Sequence, residues 1–287
     1  MQPLEKSTLY VIATPLGNLG DLSPRAIETL KNVNVIAAED TRHSRPLLQY
    51  FGIATPLISL HSHNERQVSE EILERLKNGE SVGLISDAGT PLISDPGAKL
   101  LETLHANHLN IRSIPGPSAI TAALSIAGFP ADKFVFEGFL PSKPSTRRAH
   151  LETLIKETRT LVFYEAPHRI LETLEDFIAI FGETRRGALV KEISKIHETC
   201  LNGCLKELKN WLEENPAHQK GEFVLILAGF IKEETTEDIS LETEHILKIL
   251  CKALPLKEAA RLTADITHLP KNKLYAHALI LTKGFTE

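Results

Sequence analysis

The sequence predicts an α/β fold of two α/β domains followed by a small C-terminal helical domain. Strand-like runs alternate with helix-like stretches through residue 229, the pattern of a mainly parallel sheet with crossover helices. The alternation breaks at Pro115-Gly116-Pro117 and restarts. An acidic stretch then separates this region from a basic tail with helical spacing. The divisions fall at 1–115 and 116–230 for the two α/β domains, 231–244 for an acidic linker and 245–287 for the basic helical domain.

In the first domain, apolar runs at Thr8 to Ala13, Val33 to Ala38, Pro56 to Leu60, Ser81 to Ser86 and Asn110 to Ile114 read as five strands. Between them, apolar residues at 3.6-residue spacing mark helices over Pro24 to Asn32, Ser44 to Phe51, Glu65 to Asn78 and Ala98 to His108. Ser23 before Pro24 is a cap followed by proline at the first helical position, and Gly79 ends a charged last turn. The second domain opens on a small-residue helix, Ser118 to Ala127. Strands follow near Lys133 to Phe139, Thr160 to Tyr164, Gly187 to Ile193, His197 to Asn202 and Glu222 to Gly229. Helices over Arg147 to Glu157, Arg169 to Phe181 and Cys204 to Glu214 cover the sheet.

Residues 231–244 carry one Lys against six acidic residues, the composition of a solvated linker. From His245 to Lys283, seven Lys or Arg face two acidic residues. Ile246 to Leu254, KEAARLTADI, the turn THLP and KNKLYAHALIL follow one another there with helix-turn-helix spacing.

Composition narrows the function classes. The chain has 287 residues, 42% hydrophobic and 24% charged, so it can bury a core and is neither disordered nor fibrous. Its longest apolar stretch, Phe223 to Ile231, is about nine residues against the roughly 20 of a membrane span. The N-terminus lacks the pattern of a secretory signal, and a cytoplasmic protein is expected. Cys200, Cys204 and Cys251 form no CxxC pair, which argues against disulfides and structural zinc. A net charge of −5 excludes a general polyanion binder, so any nucleic-acid contact is local.

The chemistry belongs to the loops that end three strands. ATPLGNLGDLSPRA follows the first, SDAGTPLISDPG the fourth and IPGPSA the fifth. Neither GxGxxG nor GxxxxGK[ST] occurs, so nicotinamide dinucleotides and ATP lose their usual fingerprints. Small residues let backbone approach a ligand, prolines preorganise a loop, and a helix start at Ser118 and Ala119 offers N–H groups. Three such loops at one sheet edge converge on a pocket.

The strings TPLGNLGDLSPRA, AAEDTRHSRPLL, LISDAGTPLISDPG, IPGPSAITAALSIAGFP, FEGFLP and YEAPHRI resemble those of the tetrapyrrole methylase superfamily, in its branch of small-subunit ribosomal RNA ribose-2'-O-methyltransferases. The resemblance covers essentially the whole chain. It implies S-adenosylmethionine bound in a cleft between two tetrapyrrole methylase-like domains, methyl transfer to the 2'-OH of a cytidine in 16S rRNA of the small ribosomal subunit, and a homodimer. Carried over by position, the cofactor contacts fall at Pro15, Ala88, Gly89, Thr90, Ile93, Ser118, Ala119, Glu165 and Ser194, and Asp87 beside them is a further cofactor-binding candidate. Thr90 stands where corrin and porphyrin enzymes have Asp, and Glu165 where many have Met, which speaks against a tetrapyrrole substrate.

Methyl transfer from a sulfonium is an in-line displacement, so alignment dominates, and a base near the ribose hydroxyl adds about 10²- to 10⁴-fold. Strand-end candidates are Glu39, Asp40, His43, His61, Asp87, Glu165 and His168, with Asp40, Glu39 and Glu165 as the catalytic candidates. Arg42 and Arg169 are expected to hold phosphates. PSKPSTRRAH supplies Lys143, Arg147, Arg148 and His150 as an RNA-side lid. His61 and His63 form an HxH pair without a third ligand nearby, and no metal is expected. Phe139 is the aromatic expected to reach the cleft. A methylase acting on a small molecule or a protein side chain, and a ribosome-binding factor without catalysis, remain the competing readings.

Overall fold

The computed structural model describes residues 4–231 and 239–283. Two compact units divide between Phe230 and Ile231. The first contains two five-stranded sheets, and the second is helical.

The first sheet contains β1 (Thr8–Ile12), β2 (Val35–Ala38), β3 (Leu57–Ser59), β4 (Val82–Ile85) and β5 (Asn110–Ile114). It is parallel throughout, in the order β3-β2-β4-β1-β5. Burial on both faces explains the near-continuous apolar strands. On one face α1 (Pro24–Asn32) and α2 (Thr41–Tyr50) pack Ala26, Leu30 and Leu48 onto Ile12 and Ile36. On the other, α3 (Glu65–Lys77) and α4 (Ala98–Ala106) pack Ile72, Leu76, Leu100 and Leu104 onto Leu9, Val35 and Leu84. Ser23 caps α1 by accepting a hydrogen bond from the Ala26 N–H at 3.1 Å, and Pro24 takes the first position, as the sequence foretold.

Next come α5 (Ala119–Ala127), β6 (Phe134–Phe139), α6 (Pro144–Thr153), β7 (Thr160–Glu165) and α7 (Ile170–Phe181), then β8 (Arg186–Lys191), β9 (Thr199–Cys204), α8 (Leu205–Glu214) and β10 (Phe223–Leu227). The sheet runs β6-β7-β10-β8-β9. Here the expectation of a mainly parallel sheet needs correction: only β6 and β7 are parallel, and the other three pairings are antiparallel. The segment from Glu192 to Glu198 between β8 and β9 is too short for a crossover helix, so the chain must return beside itself. Helices α6, α7 and α8 cover one face around Phe163 and Phe177, while α5 covers the other around Val162, Val190 and Ile226.

The helical unit consists of α9 (Leu241–Ala253), α10 (Leu256–Thr267) and α11 (Lys271–Lys283), closed around Leu247, Ala260, Leu274 and Ala278. Of the expected acidic linker, 232–238 lie outside the described residues. Its last four residues are instead the first turn of α9, where Glu242 and Glu244 suit the positive helix end and Ser240 caps Thr243 at 3.2 Å. Among the described residues no helix is long and apolar enough to cross a membrane.

Candidate active site

The three loops singled out in the sequence are stitched to one another. Thr14 and Gly89 exchange backbone hydrogen bonds at 2.8 and 3.1 Å, which joins the loop after β1 to the loop after β4. The Thr90 hydroxyl donates to the Pro117 carbonyl at 2.9 Å and ties in the loop after β5. Gly89 sits at φ +80°, where a side chain is disfavoured. Leu92 and Ser94, at φ 76° and 71°, hold left-handed conformations without that licence. Such strain persists where the surroundings over-determine a loop, as they do at ligand sites.

These loops wall a cavity of about 440 Å³ whose opposite side comes from the second sheet. The end of β2 contributes Glu39, and the fourth-strand loop contributes Asp87 through Thr90 with Ile93 to Asp95. Ser118 and Ala119 open α5, and the Ser118 side chain makes no capping bond to the first-turn N–H groups. Phe139, Tyr164 and Glu165 stand at the ends of β6 and β7, with Glu222 to Val224 at the start of β10. Five carboxylates line the cavity, from Glu39, Asp87, Asp95, Glu165 and Glu222, and among the described residues no Lys or Arg does, although Arg169 stands 3.5 Å from Glu165 and Lys195 2.9 Å from Glu222. That charge suits a compact cation and repels phosphate.

The acids differ in environment. Asp40 caps α2 and accepts from the Arg42 backbone N–H at 2.8 Å, from Nε at 3.1 Å and from Nη2 at 2.9 Å. These bonds hold its pKa down at about 2, and it does not line the cavity. Burial, with Asp87 close by, raises the pKa of Glu39. Burial and the charges of Glu39 and Asp87 push Asp95 up to about 6, against a hydrogen bond from Ser86. Asp87 Oδ1 accepts from the Asp40 N–H at 3.1 Å and fixes the start of α2. Glu165 accepts from the Thr173 hydroxyl at 2.6 Å and the Ala166 N–H at 2.8 Å, so it braces the turn into α7 while lining the cavity.

Of the expected cofactor contacts, Asp87, Ala88, Gly89, Thr90, Ile93, Ser118, Ala119 and Glu165 meet in this cavity. Pro15 is buried and its neighbour Leu16 lines the wall instead. Ser194 lies in an adjoining groove, its hydroxyl donating to the Asp21 carboxylate. Two of the arginines expected on the RNA side need correction. Arg147 is 1% exposed and paired with Asp176 at 2.6 Å, so it is a buried ion pair beneath α6. Arg169 spends its guanidinium on the Leu140 and Pro141 carbonyls, at 2.8 and 3.1 Å. Arg42, Lys143 and Arg148 are exposed, Arg148 also donating to Asp176. His43 and His168 do not line the cavity. His61 lies outside it too, and the His61 and His63 rings stand 5.9 Å apart. Among the described residues no group of three or more His, Cys, Asp or Glu could hold a metal ion.

Sequence reasoning missed Asp95, because Asp-Pro-Gly reads as a turn, and Tyr164, whose strand pattern reads as core. Burial and the nearby Asp95 raise the Tyr164 pKa to about 12, and its hydroxyl meets the Ile120 backbone.

A cavity at the strand ends of a parallel sheet, faced by a mixed sheet, is the geometry of a ligand site in an α/β protein. The chain belongs to the family of tetrapyrrole (corrin/porphyrin) methylases, whose model matches residues 8–209, and residues 237–282 match the RsmI C-terminal HTH domain. It is 50% identical to the Ribosomal RNA small subunit methyltransferase I of Pseudomonas aeruginosa, over 96% of this chain and 98% of that one. Identity to its namesake in Escherichia coli O157:H7 is 46%, over 94% of each chain. A cobalt precorrin-4 methyltransferase shares the fold at a TM-score of 0.55 and 15% identity, over 77% of this chain and 95% of that one. Diphthine synthase does so at 0.59 and 16%, over 77% and 89%.

Proposed function

We propose that this protein transfers a methyl group from S-adenosylmethionine to the ribose 2'-OH of a cytidine in 16S rRNA of the small ribosomal subunit. The observation that carries the donor assignment is the cavity's charge: Glu39, Asp87 and Asp95 line it with no Lys or Arg paired to them among the described residues, which favours a sulfonium and turns phosphate away. Small residues at Ala88, Gly89, Ser118 and Ala119 leave room for the donor's flat and bulky parts at the strand ends. When bound, the donor supplies an electrophilic methyl group. The chain's residues hold the ribose hydroxyl in line and receive its proton.

Asp95 is the residue we assign to that proton. It lines the cavity, and a pKa near 6 makes it a stronger base than Asp40 while leaving it ionised at neutral pH. Glu39 keeps the Asp95 pKa high and shares the site. Arg42, Lys143 and Arg148 lie outside the cavity lining, where an RNA backbone could meet cations without entering the acidic interior. The basic helical unit adds a second RNA surface. Exposed Ile126 and Ile196 suit burial against a second copy in a homodimer.

Small subunits from cells lacking this methyl group, incubated with the protein and labelled donor, should take up one methyl per particle at a ribose 2'-oxygen. Label that stayed off the RNA, or went to a base, would remove the reading.

A further inference from the structure

One aromatic ring stands where no packing need puts it. Phe139 lines the cavity yet keeps 55% of its surface exposed. Its position follows from a bulge in β6: Phe136 pairs with Val162, but Gly138 pairs with Phe163 and Phe139 with Tyr164. Glu137 is the extra residue. Paired residues share a sheet face, so without the insertion Phe139 would sit opposite Glu165, on the face that Phe163 turns toward α6 to α8. With it, Phe139 joins Tyr164 on the cavity face. Bulges re-aim side chains in this way beside active sites.

The placement is held from two sides. Gly138 has φ +65° and passes so near the donor wall that an added Cβ would lie 3.2 Å from Ser94 Oγ. Arg169 grips the carbonyls of the two residues after Phe139, Leu140 and Pro141. The Phe139 ring leans on Tyr164 at 5.5 Å and 59°, and Tyr164 is braced edge-on by Phe136 at 4.8 Å. A ring fixed before binding loses little entropy on meeting a ligand.

We propose that Phe139 is a stacking platform for the base of the target nucleotide, a substrate-positioning residue at the mouth of the cavity. This rests on the RNA methyltransferase reading above. The acidic interior keeps phosphates outside, so a ribose that reaches the reacting centre leaves its base at the rim. Lys143 and Arg148 follow Phe139 in the chain within nine residues, on the approach to α6 and in it, which suits a splayed strand whose phosphates stay in solvent.

The test compares F139A, F139L and F139W with the wild type on unmethylated small subunits, with donor affinity read separately by calorimetry. One stacked base is worth about five- to 150-fold in affinity. F139A and F139L should both raise the KM for subunits by about that factor, with donor affinity within about twofold of wild type and F139W rescuing most of the loss. F139L behaving as wild type would reduce the ring to an apolar wall and overturn the proposal. So would donor affinity falling in step with KM, which would make Phe139 a donor contact. If the wild type itself fails to methylate subunits, the functional reading falls first and this one with it; subunit methylation with an unchanged F139A overturns the stacking role alone.

Discussion

Asp95 and Asp40 make opposite demands on pH. A carboxylate with its pKa pushed to about 6 binds a proton in the folded chain that the unfolded chain has already lost. Between about pH 4 and 6 the folded state therefore holds more protons, and Asp95 makes the fold less stable as pH rises through that window. D95N should remove the penalty, so its melting temperature should gain on wild type between pH 4.5 and pH 7.5; a constant offset across that range would refute the shift. As a base, Asp95 should give a rate that falls below pH 6, and D95N should lose about 10²-fold or more in kcat together with that acidic limb. D40A, by contrast, should keep methyl transfer within about threefold, since Asp40 is a helix cap tied to Arg42. A loss at Asp40 as large as that at Asp95 would reverse the assignment.

At the scale of elements, the ion pair between α6 and α7 is the sharpest test. Asp176 is 1% exposed and takes both Arg147 and Arg148, at 2.6 and 2.5 Å. D176A leaves buried Arg147 with only the exposed Glu172, 3.6 Å away, and should cost about 3–5 kcal/mol in denaturant unfolding, whereas R147M/D176L should recover most of it. Equal melting of D176A and wild type would mean the pair contributes nothing. The same pair shows why the sequence misled at this point. PSKPSTRRAH displays charge but not burial, and Asp176 lies almost 30 residues away in the chain. Strand positions and the three loops were readable because apolar runs, Pro-Gly turns and small residues act locally. Strand direction in the second sheet was not, since period-two alternation is the same for parallel and antiparallel neighbours. The β6 bulge was equally hidden, because register exists only between strands.

For the whole molecule, the division of labour we propose follows charge: an acidic cavity for the donor, cations outside it for the polymer. Removing everything after Phe230 should weaken binding to small subunits and flatten its salt dependence, while donor affinity stays within about twofold. Equal losses of both would count against an RNA role for the basic helices. The claim on which the rest stands is that the cavity takes a sulfonium donor. Calorimetric titration of the intact protein with S-adenosylmethionine should give saturable binding of one donor per chain, weakened at least tenfold in a variant carrying Asp or Glu to Asn or Gln changes at both Glu39 and Asp87. Absence of binding, or affinity untouched by removing those charges, would contradict it.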